Sequence, residues 1–472
     1  MSAPPPRVNG MRCFLEPSSV AVVGASHNTM KFGHFLMRNL VELGFEGKVY
    51  PVNPNTEEIL GLKTYPNINH IPHDVDLAVI IVPAEQVLQV MRDCSQKHVK
   101  GVVICSSGFR EAGGEGIKRE EAVIEIAEKA GIRVLGPNTT GIVNASNNFT
   151  TSFIPLPKLR KGSVAFIAQT GLFAAAAFWW ILTAQPFDLT KVIGLGNKSD
   201  VDDAEALEYL AQDEETKVIA IYMEGIKDGP RFFKAAQEVV NSKPIIVVKS
   251  GRSESGKNAS RSHTGSLAVR DEIFDAVCKQ TGIIRVREFE DLTDLAKVFA
   301  LQPLPAGNRV GIASITGAGC VMAADECAEQ GMEIARLSTG TLDKLRSYVP
   351  SWATVANPFD TEPLFESVGP ESAVTLALES MLEDENVDCA IFVLATSPVF
   401  KFDINNVISD VLKKYPKKPV VSHIIGPKDL VDYYVHQLEG IKIPVYPSIK
   451  RGVSALAALY KYRMTQKRAA RD

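Results

Sequence analysis

The sequence predicts an α/β protein built from three successive blocks of parallel sheet. Short β-branched runs alternate with amphipathic stretches along the chain, which is the usual pattern of strands and helices in parallel sheets. A glycine-containing turn follows the first strand of each block, around Gly24, Gly171 and Gly317. Ligands of open α/β sheets bind outside the carboxyl ends of the strands. These turns are therefore the first places to look for a functional site.

Two segments without a sustained hydrophobic period interrupt the alternation. Residues 145–162 are polar and then rich in proline, and residues 301–308 read LQPLPAGN. Such stretches are typical of connections between domains. We therefore expect three domains, formed by residues 1–150, 151–303 and 304–472.

The strand candidates of the first block have a largely continuous apolar character, which favours strands that are covered on both faces. In the first block they are Val20–Gly24, Lys48–Val52, Leu77–Val82, Gly101–Cys105 and Arg133–Leu135. In the later blocks they are Ser163–Ile167, Val192–Leu195, Val218–Tyr222, Ile245–Val248, Arg309–Ile315, Ala390–Leu394, Pro419–Val421 and Ile443–Tyr446. The apolar run Gly171–Ala184 is too short to span a bilayer and predicts a buried helix.

The composition argues against several classes of function. The 472 residues carry 51 Lys and Arg against 55 Asp and Glu, a net charge of −4, so charge-driven binding to nucleic acid is not expected. The seven cysteines are scattered without zinc-like spacing, which is typical of reduced thiols in a cytoplasmic protein and predicts no metal site. No targeting signal or membrane-spanning segment is predicted.

The first turn, Val22–Gly33, is not a dinucleotide fingerprint. Ser26 stands at the second glycine position of G-x-G-x-x-G, and no acidic residue follows the second strand, which ends near Asn53. This argues against an NAD-linked oxidoreductase. Backbone N–H groups and a serine hydroxyl at a helix start can still bind phosphates, such as those in the nucleotide part of coenzyme A.

A histidine near the end of the second block is the clearest candidate for chemistry. His263 lies between hydroxyl residues and a glycine in Ser260–Ala268, downstream of Lys249 and Arg252. A histidine held where anions collect can act as a nucleophile. Taken alone, however, such a histidine is more often a passive hydrogen-bonding residue.

Several motifs in combination resemble one superfamily over essentially the whole chain. They are Val22–Gly33, Val49–Pro54, Gly108–Gly116, Gly136–Asn138, Met223–Gly225, Gly251–Ser253 and Ser262–Leu267. Together they resemble the NDP-forming acyl-CoA synthetases, which include succinyl-CoA synthetase, and in particular the α subunit of an ADP-forming acetyl-CoA synthetase. The resemblance implies a Rossmann-like CoA-binding domain followed by two flavodoxin-like parallel-sheet domains.

The resemblance also implies an activity and two catalytic residues. The reaction converts acyl-CoA, phosphate and ADP to an acid, CoA and ATP by way of an acyl phosphate and a phosphohistidine. His263 matches the histidine that carries the phosphoryl group. Glu224 matches the carboxylate that accepts a hydrogen bond from the other ring nitrogen, which fixes the tautomer of the imidazole.

Further residues match the ligand sites of the family. Gln169, Thr170 and Gly171 match the turn whose following helix points its N-terminus at the transferred phosphoryl group, and Asn197 is the candidate for positioning the acyl carboxylate. The positions that match the coenzyme A crevice are Gly24, Ser26, Asn53, Pro83, Ser107 and Asn138.

A partner chain is implied as well. The sequence has no Walker-type phosphate loop and no segment that resembles an ATP-grasp domain. We expect an ATP-grasp β subunit to carry most of the nucleotide site with its Mg²⁺, within a hetero-oligomer that uses coenzyme A, phosphate and a small carboxylic acid. The alternative is a CoA- or acyl-CoA-binding regulatory module without catalysis, and the pair of His263 and Glu224 argues against it.

The chain departs from the family pattern at three places. Ala168 and Thr170 replace the two serines of a common Ser-Gln-Ser-Gly turn, Asn55 replaces a basic residue after Asn-Pro, and Thr139 replaces a cysteine after Gly-Pro-Asn. The first difference bears on the acyl substrate. The other two bear on the affinity for coenzyme A.

Overall fold

The computed structural model describes residues 8–169, 171–257, 259, 270–399 and 401–469. The chain divides into two compact units, and the division falls after Leu292. This is earlier than the predicted boundary at residue 303, because most of the helix Phe289–Leu301 belongs to the second unit. Within that unit, the Lys297 ammonium lies 3.1 Å from a carboxylate oxygen of Glu439 and donates to the Val445 carbonyl at 2.6 Å.

The first unit begins with a five-stranded sheet whose main strands are fully parallel. Its elements are α1 (Val8–Leu15), β1 (Ser19–Val23), α2 (Phe32–Glu42), β2 (Lys48–Val52), β3 (Glu58–Ile59), β4 (Leu62–Lys63), β5 (Leu77–Ile80), α3 (Ala84–Gln96), β6 (Gly101–Ile104), α4 (Gly114–Ala130) and β7 (Arg133–Leu135). The strand order is β2-β1-β5-β6-β7, with β3 and β4 as a separate small hairpin. All residues of β1, β5 and β6 are buried, which confirms the prediction of strands covered on both faces.

A seven-stranded sheet completes the first unit. Its elements are β8 (Ile142–Asn144), β9 (Phe149–Thr150), β10 (Val164–Ala168), α5 (Gly171–Ala184), β11 (Leu189–Gly194), α6 (Asp203–Gln212), β12 (Val218–Met223), α7 (Gly229–Val240), β13 (Ile245–Lys249), α8 (Asp271–Thr281) and β14 (Ile284–Val286). The strand order is β14-β13-β12-β10-β11-β8-β9, and β8 pairs antiparallel with β11. Residues 142–150, predicted as part of the first domain, thus belong to the second sheet, because the buried residues of β8 pair with Lys191–Ile193.

The helix α5 is less buried than its sequence predicts. Phe178 and Ile181 are 3% and 2% exposed, whereas Trp179 and Trp180 are 38% and 36% exposed. The Trp179 indole N–H donates to the Pro155 carbonyl at 2.6 Å. The apolar sequence alone hides this difference, because an all-apolar helix has no periodicity that marks its outer face.

The second unit contains one parallel sheet. Its elements are α9 (Phe289–Leu301), which begins in the first unit, β15 (Arg309–Ser314), α10 (Gly317–Gln330), β16 (Glu333–Ile334), α11 (Thr339–Arg346), β17 (Phe359–Asp360), α12 (Glu362–Val368), α13 (Pro370–Glu383), β18 (Cys389–Ala395), α14 (Ile404–Lys414), β19 (Val420–Ile425), α15 (Lys428–Gly440), β20 (Val445–Tyr446) and α16 (Ile449–Ala469). The strand order is β16-β15-β18-β19-β20, and β17 also pairs with β15. The parallel α/β architecture predicted from the sequence is confirmed.

All seven cysteines are free thiols, and burial raises the pKa of Cys94 and of Cys105 to about 12. These two thiols therefore stay protonated near neutral pH.

Among the helices that the structure describes, none combines the length and the apolar character needed to cross a membrane.

Candidate active site

A cavity of about 770 Å³ opens at the carboxyl edge of the first sheet. Four of the six predicted crevice residues line it, namely Gly24, Ser26, Asn53 and Pro83. They come together because β1, β2 and β5 are adjacent parallel strands that end at the same edge. Its volume lies within the range of about 300–1,000 Å³ that is usual for small-molecule sites.

Gly24 is required by the geometry of the turn at the floor of this cavity. Its φ of +97° disfavours any residue with a side chain, and a Cβ there would lie 2.5 Å from the Ile81 carbonyl oxygen. A Cβ on Gly33 would lie 2.1 Å from the Gly24 carbonyl oxygen, so the start of α2 is packed directly on the turn. The positive end of a helix dipole thereby borders the cavity, where it favours anions.

Two polar side chains hold the loops around the cavity. The Asn53 side chain donates to the Ala25 carbonyl at 2.8 Å and accepts from the Asn55 N–H at 2.8 Å. The Ser26 hydroxyl oxygen accepts from the Asn28 N–H at 3.1 Å. Lys31 also lines the cavity and supplies a cation there. It lies within the turn Val22–Gly33 but was not predicted as a site residue.

Ser107 and Asn138 do not line this cavity. Ser107 is exposed beyond β6, and Asn138, with a φ of +58°, donates from its backbone N–H to the Ser106 carbonyl at 3.0 Å. They follow β6 and β7, which lie farther along the sheet. The cavity thus runs along the carboxyl ends of β2, β1 and β5, and a contact of Ser107 and Asn138 with coenzyme A stays a prediction.

A second group of predicted residues meets at the carboxyl edge of the second sheet. Gln169 follows β10 and Glu224 follows β12, and both side chains are buried. The Gln169 side-chain oxygen accepts from the backbone N–H groups of Glu224 and Gly225 at 2.8 and 3.1 Å. One buried amide therefore fixes the turn that carries the predicted catalytic carboxylate.

The chain that leads toward His263 leaves the sheet beside this turn. The Ser250 N–H donates to the Met223 carbonyl at 3.0 Å, and the Tyr222 hydroxyl lies 3.2 Å from the Ser250 hydroxyl. Burial and the neighbouring Glu224 carboxylate raise the pKa of Tyr222. His263 and Thr170 lie outside the described residues, and Gly171 is the first residue of α5.

Asn197 bridges two carboxylates of the first domain. Its side-chain amide donates to Glu111 at 2.6 Å and to Glu120 at 2.9 Å, and its backbone N–H donates to the Pro137 carbonyl at 2.9 Å. Its buried side-chain oxygen has no hydrogen-bond partner among the described residues. The contact with an acyl carboxylate stays a prediction, since in this arrangement the amide hydrogens are already donated.

Lys198, the residue after Asn197, belongs to the site but was not predicted from the sequence. Its ammonium donates to both carboxylate oxygens of Asp203 at 2.8 and 2.6 Å and to the Gly225 carbonyl at 2.8 Å. The Lys227 ammonium in turn donates to the Lys198 carbonyl at 2.9 Å. These bonds tie the loop around Asn197 to the turn after Glu224. The described residues contain no group of three or more His, Cys, Asp or Glu side chains placed to hold a metal ion.

Two protein-family models match the chain between residues 18 and 299. Residues 18–145 match the CoA binding domain, and residues 161–299 match the succinyl-CoA ligase-like flavodoxin domain. The first match contains the cavity of the first sheet. The second contains Gln169, Glu224 and the segment that carries His263.

Relatives that match nearly the whole of this chain are described as ADP-forming acetate–CoA ligases or their subunits. The chain is 45% identical over 453 residues to acetate–CoA ligase [ADP-forming] II of Archaeoglobus fulgidus, covering 96% of this chain and 67% of that protein. It is 38% identical over 466 residues to the α subunit of acetate–CoA ligase [ADP-forming] I of Pyrococcus furiosus, covering 96% and 97%. A solved structure of the dinucleotide-forming acetyl-coenzyme A synthetase 1 of Candidatus Korarchaeum cryptofilum, in complex with phosphate and ADP, matches with a TM-score of 0.90, 33% identity and 98% coverage of both chains.

Proposed function

Because this chain belongs to the family of ADP-forming acetate–CoA ligases, we propose that it is the α subunit of an ADP-forming acyl-CoA synthetase. The enzyme would convert acyl-CoA, phosphate and ADP to a carboxylic acid, CoA and ATP. The observation that supports this most directly is the buried bond pair from Gln169 to the Glu224 turn, at the edge where the chain departs toward His263. A second support is the cavity of the first sheet, which suits the phosphates of coenzyme A.

The first step would use both proposed ligand sites, the coenzyme A cavity of the first sheet and the phosphate site of the second sheet. Phosphate attacks the thioester carbon, the carbon–sulfur bond breaks, and CoA leaves as the thiol while an acyl phosphate remains. The turn at Gly24 and the start of α2 would hold the CoA phosphates, with Lys31 adding a positive charge. Ser107 and Asn138 would contact the part of CoA that reaches past the cavity toward the second sheet.

The second step would use this chain's own nucleophile. A ring nitrogen of His263 attacks the phosphorus of the acyl phosphate, the acid leaves as a carboxylate, and a phosphohistidine forms. Glu224 would accept a hydrogen bond from the other ring nitrogen, which keeps the attacking nitrogen unprotonated and then stabilises the cationic phosphoimidazole. Gln169 would hold Glu224 in place, while Thr170 and the start of α5 at Gly171 would stabilise the transferred phosphoryl group.

The third step would take place with a partner. ADP receives the phosphoryl group from His263 and forms ATP, with Mg²⁺ neutralising the phosphate charges. We place this nucleotide site mainly on an ATP-grasp β subunit, because the sequence carries no Walker-type loop. The free cysteines support a cytoplasmic location for the assembly.

The phosphohistidine can be tested by labelling. We mix the chain with its β subunit, Mg²⁺ and ATP carrying a radioactive γ-phosphate, and expect acid-labile, base-stable label on the wild type and none on His263→Asn. His436→Asn is the matched control, because His436 is exposed on α15 and plays no part in the proposed steps. Label that persists on His263→Asn would refute the assignment, and unlabelled wild type that still binds CoA would support a non-catalytic CoA-binding module instead.

The role of Gln169 has its own test. Gln169→Leu leaves two buried N–H groups without a partner, at about 1–3 kcal/mol each, and should reduce the rate of labelling at least about tenfold through loss of the Glu224 position. Gln302→Leu is the control, since that side chain accepts from the Val420 N–H in the second unit. Loss of stability in both variants with normal labelling in both would argue that Gln169 is only structural.

A further inference from the structure

The sheet of the second unit carries a cavity that none of the proposed steps uses. It has a volume of about 480 Å³ and lies at the carboxyl ends of β15 and β18, where Ile315, Leu394 and Ala395 line it. These two neighbouring strands are where the strand order reverses, since β16 lies on one side of them and β19 and β20 on the other. In open α/β sheets, this switch point is the position where ligands bind.

The walls of the cavity are mostly apolar and aromatic. Phe365, Phe402, Ile404 and the ring of Tyr434 line it, together with Leu394. The Phe402 and Tyr434 rings are tilted with centroids 5.7 Å apart, and the Tyr434 hydroxyl accepts from the Phe402 N–H at 3.1 Å. The pocket is therefore held in shape by its own side chains and suits an aromatic or aliphatic group.

The charged groups that line this cavity are acidic. Glu362 and Glu366 lie four residues apart on α12, both are exposed, and both line the cavity. Neither forms an ion pair with any residue that the structure describes. Lys401, the residue before Phe402, places its ammonium 4.4 Å from the Tyr433 ring centroid and does not line the cavity.

This pattern disfavours anionic ligands and favours cations. Two carboxylates repel a phosphate or a carboxylate at the mouth, and among the described residues no basic side chain lines the pocket to offset them. Carboxylates attract an ammonium group, and aromatic faces add to that attraction at about 6 Å or less. The ligand that fits these walls is an ammonium ion joined to an apolar body.

We propose that the second unit has a ligand site of its own at the switch point of β15 and β18. It binds a small organic cation, an amine with an aromatic or aliphatic group. The apolar body occupies the space between Phe365, Phe402 and Ile404. The ammonium group lies at the mouth, between Glu362 and Glu366.

The test compares three probes of similar size and different charge. Binding of 2-phenylethylamine, 2-phenylethanol and phenylacetate to the full chain is measured by calorimetry, with coenzyme A present to fill the first cavity. We expect the amine to bind about tenfold more tightly than the alcohol, and phenylacetate to bind more weakly than either, given the modest strength of exposed charge pairs and of cation–π contacts. Equal affinities for the amine and phenylacetate, or no saturable binding of the amine, would overturn the proposal.

Two sets of variants locate the site. The double variant Glu362→Gln and Glu366→Gln should remove the preference for the amine over the alcohol but leave binding of the alcohol within about twofold. Ala395→Trp, which fills the mouth from an exposed position, should abolish binding of all three probes. The control is Glu329→Gln with Glu333→Gln, which removes the same charge from exposed positions outside the cavity. If that control changes the preference as much as the α12 double variant does, the site is not the one proposed.

Discussion

The cavity of the five-stranded first sheet and the cavity of the third sheet, which is the sheet of the second unit, both lie at the carboxyl edge of their sheet. The groups that border the two cavities differ in chemistry. In the first sheet, the cavity borders a glycine turn, a helix start and Lys31. In the third sheet, it is bordered by aromatic rings and by Glu362 and Glu366. Parallel sheets place an opening at their carboxyl edge in both cases, and the few side chains that follow the strands decide which ligand each opening accepts.

The glycine turns of the two sheets show the same contrast. Gly24 has a positive φ and lies against the Ile81 backbone. Gly319 has no such φ, but a Cβ there would lie 2.3 Å from the Ser314 hydroxyl oxygen. The first turn thus needs glycine for its backbone conformation and for space, whereas the third needs it for space alone.

The largest effect that tests this contrast is expected at Gly24. Gly24→Ala should weaken coenzyme A binding about 100-fold, because strain at positive φ of about 1–3 kcal/mol adds to the clash with a backbone oxygen. Calorimetric titration with CoA measures it. Gly61→Ala is the matched control, since Gly61 has a φ of +78° but no atom within 4 Å of its Cβ position. Equal loss of affinity in both variants would show that positive φ alone, and not the approach of the turn to Ile81, controls binding.

A smaller effect is expected in the third turn. Gly319→Ala should lower local stability by about 1–2 kcal/mol relative to Gly317→Ala, because the new methyl group displaces the Ser314 hydroxyl from its bonds to Thr316. Hydrogen exchange of the amides in β15 and α10 reports this local difference. A Cβ on Gly317 would come only within 3.2 Å of an Asp360 carboxylate oxygen, so comparable exchange in the two variants would contradict the packing argument.

The smallest effect concerns the charges of the third cavity. Replacing both acidic residues, Glu362→Lys with Glu366→Lys, should reverse the order of the charged probes, so that phenylacetate binds about five- to tenfold more tightly than 2-phenylethylamine. Raising the salt concentration should reduce this ratio, because both positions are exposed. If 2-phenylethylamine still binds more tightly than phenylacetate after the double substitution, the apolar and aromatic walls of the cavity, and not its charges, select the ligand.

The sequence predicted the main strands closely and missed several of the short ones. Lys48–Val52 was predicted to the residue, whereas β8, β9 and β17 were not predicted at all. A long apolar run carries its own signal, but a strand of two or three residues forms only because a neighbouring strand pairs with it. For this reason the sequence did not indicate that residues 142–150 pair within the second sheet.

The same distinction applies to the candidate site. The glycine turns could be identified from the sequence, because close approach restricts which residue types fit, and Gln169 and Glu224 were identified by their match to the family's motifs. Lys31 and Lys198 could not, since their roles depend on which loops fold beside them. Asn197 was chosen from its loop as the candidate for positioning the acyl carboxylate, which stays a prediction, and its bonds to Glu111 and Glu120 come from a part of the chain far away in sequence.

The sequence by itself determined the α/β architecture, the edge of each sheet where ligands are expected, and the family resemblance carried by its motifs. These depend on local periodicity and on residue types that few other residues can replace. Only the tertiary structure decided that Gln169 holds the Glu224 turn, that Ser107 and Asn138 lie outside the first cavity, and that an acidic, aromatic pocket occupies the switch point of the third sheet. Each of these depends on distances between residues far apart in the chain, which packing sets and local sequence does not.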